Sequence, residues 1–244
     1  MKTYIAFGGH IGDAELTAGL FLATKSLEGC KIVTVALTGG EKGNPANISQ
    51  DDYRIQKEKE AAEFARMLNG RAIVFPYKDG ELEYNEQVVI EVAEIIRKYQ
   101  PIAIFTHWKN SMHKDHELTS RIVKEAQFYA SIDYGTKVKG NRCYAPLYYL
   151  ENWEDKPGFD PYVLVKCSKE GFKLWSEALH THWFIMNSSS FKYYDYYTSL
   201  AKVRGCLARC DYAIGLDIDE HAKYVVKEDL WLTLIKNMKI YLKA

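Results

Sequence analysis

The chain has 244 residues, which is enough for one large domain with a sizeable buried core. Lysine plus arginine and aspartate plus glutamate each number 32, so no net charge favours nucleic acid or an anionic membrane as a partner. No apolar run is long enough to span a bilayer, and none at the start is typical of a signal segment. The five cysteines are odd in number and scattered, so we expect reduced thiols in a cytoplasmic protein.

Apolar runs and helical periods alternate along the first half of the chain. The predicted strands are residues 4–7, 31–37, 72–75 and 102–106, and the predicted helices are residues 13–27, 51–68, 85–98 and 118–129. This alternation is typical of βαβ units, which place helices on both faces of a parallel sheet. The sequence therefore predicts an α/β fold with a Rossmann-like parallel sheet.

The pattern changes after residue 135. Two further strands are predicted at 147–150 and 162–166, followed by a helix at 169–180. No stretch rich in proline, glycine or serine separates this part from the first. We expect one domain over residues 1–244, with the parallel-sheet core in 1–130 and a small C-terminal extension in 131–244 that shapes the site.

Two clusters of histidine and aspartate follow two of the predicted strands. His10 and Asp13 follow the first strand, and residues 113–116 (His-Lys-Asp-His) follow the strand at 102–106. Open α/β sheets bind ligands beyond the carboxyl ends of their strands. Imidazole and carboxylate together suit a divalent ion such as zinc. The two clusters therefore predict a metal site at one edge of the sheet.

Other interpretations of these residues are less favoured. His10 can be a core histidine and Asp13 a helix N-cap, but three imidazoles and two carboxylates at strand ends have no packing reason to coincide. The glycines of residues 8–12 lack the G-x-G-x-x-G spacing of a nucleotide-binding turn, which leaves a nucleotide-binding module as the least favoured function.

Three further residues have two interpretations each. His107 is either a fourth imidazole of the pocket or, as we favour, a packing partner of Trp108. Cys206 and Cys210 are four residues apart on a predicted helix. They are either a metal-binding pair or, as we favour, small buried core residues.

Several motifs in the first 130 residues occur together in one known family. Residues 10–15 (His-Ile-Gly-Asp-Ala-Glu) resemble the His-Pro-Asp-Asp-x-Glu signature of the PIG-L (LmbE-like) N-deacetylases, which remove acetyl groups from N-acetylglucosamine conjugates. Residues 37–43 resemble the Thr-x-Gly-Glu-x-Gly loop of that family, and residues 57–70 resemble its second helix. Residues 79–82 resemble its Asp-Gly-x-Leu segment, and residues 113–116 resemble its His-Pro-Asp-His motif.

The resemblance implies a zinc-dependent hydrolase that removes an acetyl group from an N-acetylated amino sugar or a similar small amide. It implies that His10, Asp13 and His116 bind zinc or another divalent transition metal and leave one coordination position open. It implies that His113 stabilises the oxyanion and that Asp115 orients an imidazole. The expected partner is thus a small N-acetylated molecule.

One departure from the family concerns the general base. Gly12 stands where the family carries its base aspartate. Acid–base help is typically worth about 10²- to 10⁴-fold, so we expect a slow enzyme, or alternatively a catalytically weakened relative that binds metal and a sugar-like ligand. Glu15, Glu41 or Asp115 can supply a base from another direction. We expect Gly12→Asp to raise turnover.

A second departure concerns substrate binding. Lys57, with Arg54 one turn earlier, stands where many relatives carry arginine, and both are predicted to bind the substrate. Lysine cannot reproduce the bidentate fork of arginine, so a different substrate is expected. The aromatic residues are either a sugar-stacking wall or packing in the core or in a homo-oligomer interface. They are Trp183, Phe184, Tyr193, Tyr194, Tyr196 and Tyr197.

Overall fold

A computed structural model describes residues 1–220 of the chain. The strands are β1 (Thr3–Gly8), β2 (Lys31–Thr38), β3 (Arg71–Tyr77), β4 (Ala103–His107), β5 (Leu147–Leu150), β6 (Val163–Cys167) and β7 (Tyr212–Ile218). The helices are α1 (Asp13–Thr17), α2 (Gly19–Leu27), α3 (Gln50–Met67), α4 (Glu86–Tyr99), α5 (Lys114–Ser131), α6 (Lys169–Ala178), α7 (Trp183–Asn187) and α8 (Tyr193–Ala208). Ser49, Asn85 and Ser168 cap the N-termini of α3, α4 and α6 by accepting backbone N–H groups.

The seven strands form one sheet in the order β3-β2-β1-β4-β5-β7-β6. The strands from β3 to β5 in this order are parallel to their neighbours, and β7 runs antiparallel to both β5 and β6. The predicted α/β fold is confirmed, although the sheet is mixed. Strand β7 was not predicted because Gly215 and Asp217 interrupt its apolar run.

The sheet is covered on both faces, as successive side chains of β1 show. Ile5 and Phe7 belong to a buried cluster with side chains of α4 and α5. Ala6 belongs to a second cluster with side chains of α2 and α6. Side chains of a strand alternate between the two faces, so β1 is buried on both. This arrangement leaves the ends of the strands as the places where polar side chains can gather.

The predicted helix at residues 13–27 is interrupted at Ala18. The Trp175 indole Nε1 donates a hydrogen bond of 2.8 Å to Glu15 O, which is the acceptor that the Gly19 N–H would use in a continuous α-helix. A Cβ at Gly19 would lie 2.5 Å from the same Nε1. The close approach of α6 therefore coincides with the break.

The C-terminal part differs from the prediction in two respects. The predicted helix at 169–180 ends at Ala178, and a short 3₁₀ turn (Leu179–Thr181) follows. The prediction that Cys206 and Cys210 are buried core residues is wrong. Cys206 is exposed on α8, and the half-buried Cys210 lies beyond the end of α8, where Arg209 has a φ of 54°.

The five cysteines all lie in the described part and are free thiols. Within residues 1–220, no helix combines the length and apolarity that crossing a membrane requires.

Candidate metal centre and its cavity

The turn from β1 into α1 holds the first half of the site. The His10 N–H donates to Asp13 Oδ2 over 2.7 Å, and the Gly12 N–H donates to Glu15 Oε2 over 3.1 Å. Gly12 has a φ of 111°, a region that favours glycine. These bonds fix the turn, and they hold His10 Nδ1 at 3.3 Å from Asp13 Oδ2.

The loop after β4 and the first turn of α5 hold the second half. Helix α5 begins at Lys114 rather than at the predicted residue 118, so Asp115 and His116 lie in its first turn. His113 is the N-cap, and its Nδ1 accepts the N–H of Asp115 over 3.2 Å. A neutral imidazole with Nδ1 as the acceptor carries its proton on Nε2.

Because β1 and β4 are adjacent in the sheet, the two halves meet at its carboxyl edge. His10 Nδ1 lies 3.2 Å from His116 Nε2, and Asp13 Oδ2 lies 3.3 Å from each of these atoms. Tetrahedral ligands at about 2.0–2.1 Å from a zinc ion lie about 3.3–3.4 Å apart. The three predicted ligand atoms therefore have the spacing and the chemistry that one transition-metal ion requires.

A carboxylate lies close to the second ring nitrogen of each of the two imidazoles. His10 Nε2 lies 3.3 Å from Asp79 Oδ1 and 3.4 Å from Asp115 Oδ2. His116 Nδ1 lies 3.1 Å from Asp155 Oδ1. One nitrogen of each ring therefore faces a carboxylate. The second nitrogen faces Asp13 and the other imidazole, which is the usual arrangement of metal-binding histidines.

His107 lies in the site. Its Nδ1 is 2.8 Å from Asp155 Oδ2, its Nε2 is 3.1 Å from Asp13 Oδ2, and its ring stacks on that of His116 with 3.9 Å between centroids. Trp108 packs instead against Tyr149 and Phe159. The favoured interpretation, that His107 packs against Trp108, is wrong because successive side chains at a strand end point in opposite directions.

The charges of the cluster shift its pKa values. Burial by itself lowers the pKa of His116, but Asp13 and Asp155 more than offset this and raise it to about 9. Burial also lowers the pKa of His10, but the neighbouring carboxylates more than offset this and raise it well above its ordinary value. Burial raises the pKa of Asp13, but His116, His10 and His107 hold it well below the ordinary range. Metal ligands must be deprotonated, so binding of an ion to such a cluster is coupled to the release of protons.

A cavity of about 700 Å³ opens onto this cluster. The metal-site residues on its wall are His10, Asp13 and His113, and Lys57 lies beside them. Its aromatic wall consists of Tyr53, Trp153, Trp183, Phe184, Tyr193 and Tyr197. Four of the six predicted aromatic residues thus face the cavity. Tyr194 bonds to Ser176 and Tyr196 packs on Phe191 instead.

Arg54 does not line this cavity. Its guanidinium donates to Tyr77 O over 2.9 Å and to Phe75 O over 2.6 Å, and it pairs with Glu58. Strand β3 is at the edge of the sheet, where strand carbonyls lack a neighbouring strand and need other donors. Arg54 is therefore a structural cation in this arrangement, and we do not retain it in the substrate site.

The three acids considered as alternatives to the missing base do not line the cavity either. Glu15 is buried behind Gly12, and burial raises its pKa to about 7. Glu41 Oε1 accepts the Asp79 N–H, and Asp115 Oδ2 accepts the Gly80 N–H. Apart from Asp13, the described acids on the cavity wall are Asp79 and Glu154.

Phe184 occupies the space beside Gly12. A Cβ built on Gly12 would lie 2.3 Å from Phe184 Cζ and 2.6 Å from Cε1. Ring and side chain cannot occupy this space together. The expectation that Gly12→Asp by itself raises turnover is revised accordingly, because the substitution meets both the ring and the unfavourable φ.

Asp155 and Glu154 were not identified from the sequence, and Phe184 was named only as a candidate for the aromatic wall. Residues 151–155 (Glu-Asn-Trp-Glu-Asp) directly follow β5, which is parallel to β4. The rule that placed the other two clusters at strand ends therefore also applied to Asp155. No such signal placed Phe184 beside Gly12, because its segment follows α6 rather than a strand of the sheet.

We expect Asp155→Asn to weaken metal binding by about 10- to 100-fold, because such carboxylates hold ligand imidazoles in the ligating tautomer and orientation. Asparagine keeps the size and one acceptor but removes the charge. Competition with a zinc-binding dye measures the affinity. Asp160→Asn, at an exposed position of the same loop, is the matched control. Equal affinities of the two variants would contradict the role of Asp155.

Together, the fold and the site define an α/β protein with a buried His/Asp cluster at the carboxyl edge of its sheet and a cavity above it. The chain belongs to the PIG-L family, because the family described as GlcNAc-PI de-N-acetylase matches residues 5–127, slightly more than half of its length.

Individual relatives are enzymes of two kinds. A 4-oxalmesaconate hydratase from Pseudomonas putida KT2440 is 22% identical over 232 residues, covering 85% of this chain and 81% of the relative. The crystal structure of GalB, the 4-carboxy-2-hydroxymuconate hydratase from the same organism, superimposes with a TM-score of 0.82 at 21% identity, covering 94% of this chain and 100% of that one. The N,N'-diacetylchitobiose deacetylase from Pyrococcus horikoshii gives a TM-score of 0.77 at 20% identity, covering 95% and 88%. At these identities the likeness establishes the shared fold.

Proposed function

We propose that this protein is a metal-dependent amide hydrolase that removes an acetyl group from the nitrogen of a small molecule. The observation that carries the proposal is the triangle formed by His10 Nδ1, Asp13 Oδ2 and His116 Nε2, with edges of 3.2–3.3 Å, on the side of a cavity large enough for a sugar. Membership of a family of de-N-acetylases supports it. When bound, a divalent ion such as zinc supplies Lewis acidity, which polarises a carbonyl and lowers the pKa of water.

The residues of the chain have distinct tasks in this proposal. His10, Asp13 and His116 hold the ion, and Asp79, Asp115 and Asp155 orient the two imidazoles from behind. His113 lines the cavity, and desolvation together with the neighbouring imidazoles lowers its pKa. A neutral His113 with its proton on Nε2 can donate a hydrogen bond to the developing oxyanion of the substrate.

We expect His113→Ala to lower turnover by about 10²- to 10³-fold while metal content stays unchanged, because one oxyanion donor is typically worth that much. Steady-state acetate release together with elemental analysis measures both quantities. His180→Ala, which removes an exposed imidazole on the same molecule, is the control. Unchanged turnover in the His113 variant would exclude the oxyanion role.

A hydratase is the second candidate, and Phe184 is the observation that favours it. Amide hydrolysis needs a group that delivers a proton to the leaving amine, and the family position for that group is Gly12 with a phenyl ring against it. Addition of water to a carbon–carbon double bond has no leaving amine. The sequence comparison and the structure comparison each give a hydratase from Pseudomonas putida KT2440, which supports the same candidate.

One experiment separates these functions. The zinc-loaded protein is incubated with N-acetylglucosamine, N,N'-diacetylchitobiose and 4-oxalmesaconate, and each reaction is repeated with a chelator. Chelator-sensitive acetate release supports the hydrolase. Chelator-sensitive loss of the absorbance of the unsaturated acid supports the hydratase instead. Binding of metal and sugar without either product would support the third interpretation, a relative with weakened catalysis.

A further inference from the structure

Lys57 is a buried cation without an acidic contact. Its residue is 5% exposed, and Nζ donates one hydrogen bond, of 3.0 Å, to Gly40 O. Within residues 1–220, no carboxylate oxygen lies within the 4.0 Å of an ion pair from this Nζ. An ammonium has three donors, so two remain for a ligand. Buried charges are ordinarily paired, and the missing contact within residues 1–220 leaves Lys57 Nζ available to a ligand in the cavity.

The surroundings of Lys57 favour an anion over a neutral group. Its Nζ lies 4.9 Å from the Phe184 ring centroid and 5.7 Å from that of Tyr53, so apolar rings exclude water on two sides. Desolvation lowers its pKa, and the carboxylates of Asp13, Asp79, Glu60 and Glu15 act against this from a distance. An ion bound by Asp13 would neutralise the negative charge of the Asp13 carboxylate. The negative charge that balances Lys57 is then smaller.

Lys57 also faces the place where chemistry is proposed. It lines the same cavity as His10, Asp13 and His113. A Cβ at Gly40 would lie 2.6 Å from Lys57 Nζ and 2.8 Å from His10 Cβ. The Lys57 ammonium and the His10 side chain therefore both lie against Gly40. Lys57 and the metal-site residues thus line one cavity, and a ligand in this cavity can contact both.

We infer that the cavity selects a substrate that carries a carboxylate, and that Lys57 binds this carboxylate beside the metal centre. The inference rests on the proposed function in placing the reacting group at the same centre, and it holds equally for an amide or an unsaturated acid. A charge-assisted hydrogen bond in a partly desolvated pocket is strong and directional. Lys57 therefore acts as a specificity-determining residue.

The test compares the binding of two probes that differ in one charge. N-acetylglycine and N-acetylglycinamide share the acetamide group, and only the first carries a carboxylate. NMR-detected titrations are performed on the zinc-loaded and on the chelated protein. We expect the zinc-loaded parent to bind N-acetylglycine about 10- to 100-fold more tightly, which is the effect expected of one hydrogen bond between charged groups. Equal affinities of the parent for the two probes would overturn the inference without any variant.

Variants then assign the preference to Lys57. Lys57→Met should bind both probes alike, and Lys57→Arg should keep part of the preference because it keeps the charge. Lys59→Met, at an exposed position of the same helix, should behave as the parent. A preference that persists in Lys57→Met and disappears on chelation would come from the ion, and it would overturn the assignment.

Acetate release is scored separately from binding. A Lys57-dependent preference without acetate release would contradict the amide hydrolase and leave this inference in place. Acetate release with equal affinity for the two probes would support the amide hydrolase and contradict the role of Lys57. The two proposals can therefore fail independently.

Discussion

Replacing Asp13 by asparagine is expected to abolish stoichiometric binding of a divalent ion. Asp13 Oδ2 lies 3.3 Å from both ligand nitrogens and accepts the His10 N–H over 2.7 Å. Asparagine keeps an acceptor for that N–H and keeps the shape, but it removes the negative charge that a divalent ion requires. The affinity for the ion should fall by more than about 100-fold, which is the largest loss typical of removing a residue that only orients a ligand.

Elemental analysis after dialysis, followed by dye competition, measures this loss. The parent should carry about one ion per chain, as a three-ligand site requires. His116→Ala should lose the ion as well, and Asp51→Ala, at an exposed position, should keep it. Circular dichroism shows whether each variant is folded. A folded Asp13→Asn protein with the metal content of the parent would show that the ligand set is wrong.

Restoring a base at position 12 is expected to need two substitutions. Gly12→Asp by itself should lower the melting temperature without raising turnover, because its Cβ meets Phe184 Cζ at 2.3 Å and its φ is 111°. Such a backbone conformation costs about 1–3 kcal/mol for a residue other than glycine. Phe184→Ala removes the obstructing ring. The double variant should exceed the turnover of Phe184→Ala by an amount approaching the 10²- to 10⁴-fold of a positioned base.

The gain should be in kcat, since proton transfer acts in the transition state rather than in substrate binding. Gly43→Asp combined with Phe184→Ala is the control. Gly43 lines the same cavity, and a Cβ there meets nothing within 4 Å. An equal gain in this control would mean that any added carboxylate suffices. A folded, metal-loaded double variant no faster than Phe184→Ala on N-acetylated sugars would count against the hydrolase and favour the hydratase.

The part of the site that could be predicted lies directly after strands. His10 and Asp13 follow β1, and residues 113–116 follow β4, so the pattern of apolar runs was enough to bring them to one edge of the sheet. Lys57 was named from the family resemblance, and it lies in the cavity. Arg54, three residues earlier, does not, because the edge-strand carbonyls of β3 bind its guanidinium.

The predicted aromatic wall is likewise correct for some residues and wrong for others. Trp183, Phe184, Tyr193 and Tyr197 face the cavity, whereas Tyr194 and Tyr196 face other parts of the molecule. Composition indicates a surplus of aromatic side chains, but it does not indicate their directions. Helices α7 and α8 assign those directions, and no helix was predicted over α7 or at the first residues of α8.

The sequence by itself determined the α/β fold, the family and the types of residue in the His/Asp cluster. These properties depend on local periodicity and on short motifs at strand ends, which are present in the chain before it folds. Only the tertiary structure decided that Asp155 supports His107 and His116, and that Phe184 fills the space beside Gly12. Asp155 lies 39 residues from His116 and 48 from His107 along the chain. Phe184 reaches Gly12 from α7, in the C-terminal part of the chain rather than from a neighbouring segment. The strand-end rule brings Asp155 to this edge of the sheet. Which side chains meet there depends on how loops and helices pack, and no local pattern encodes that packing.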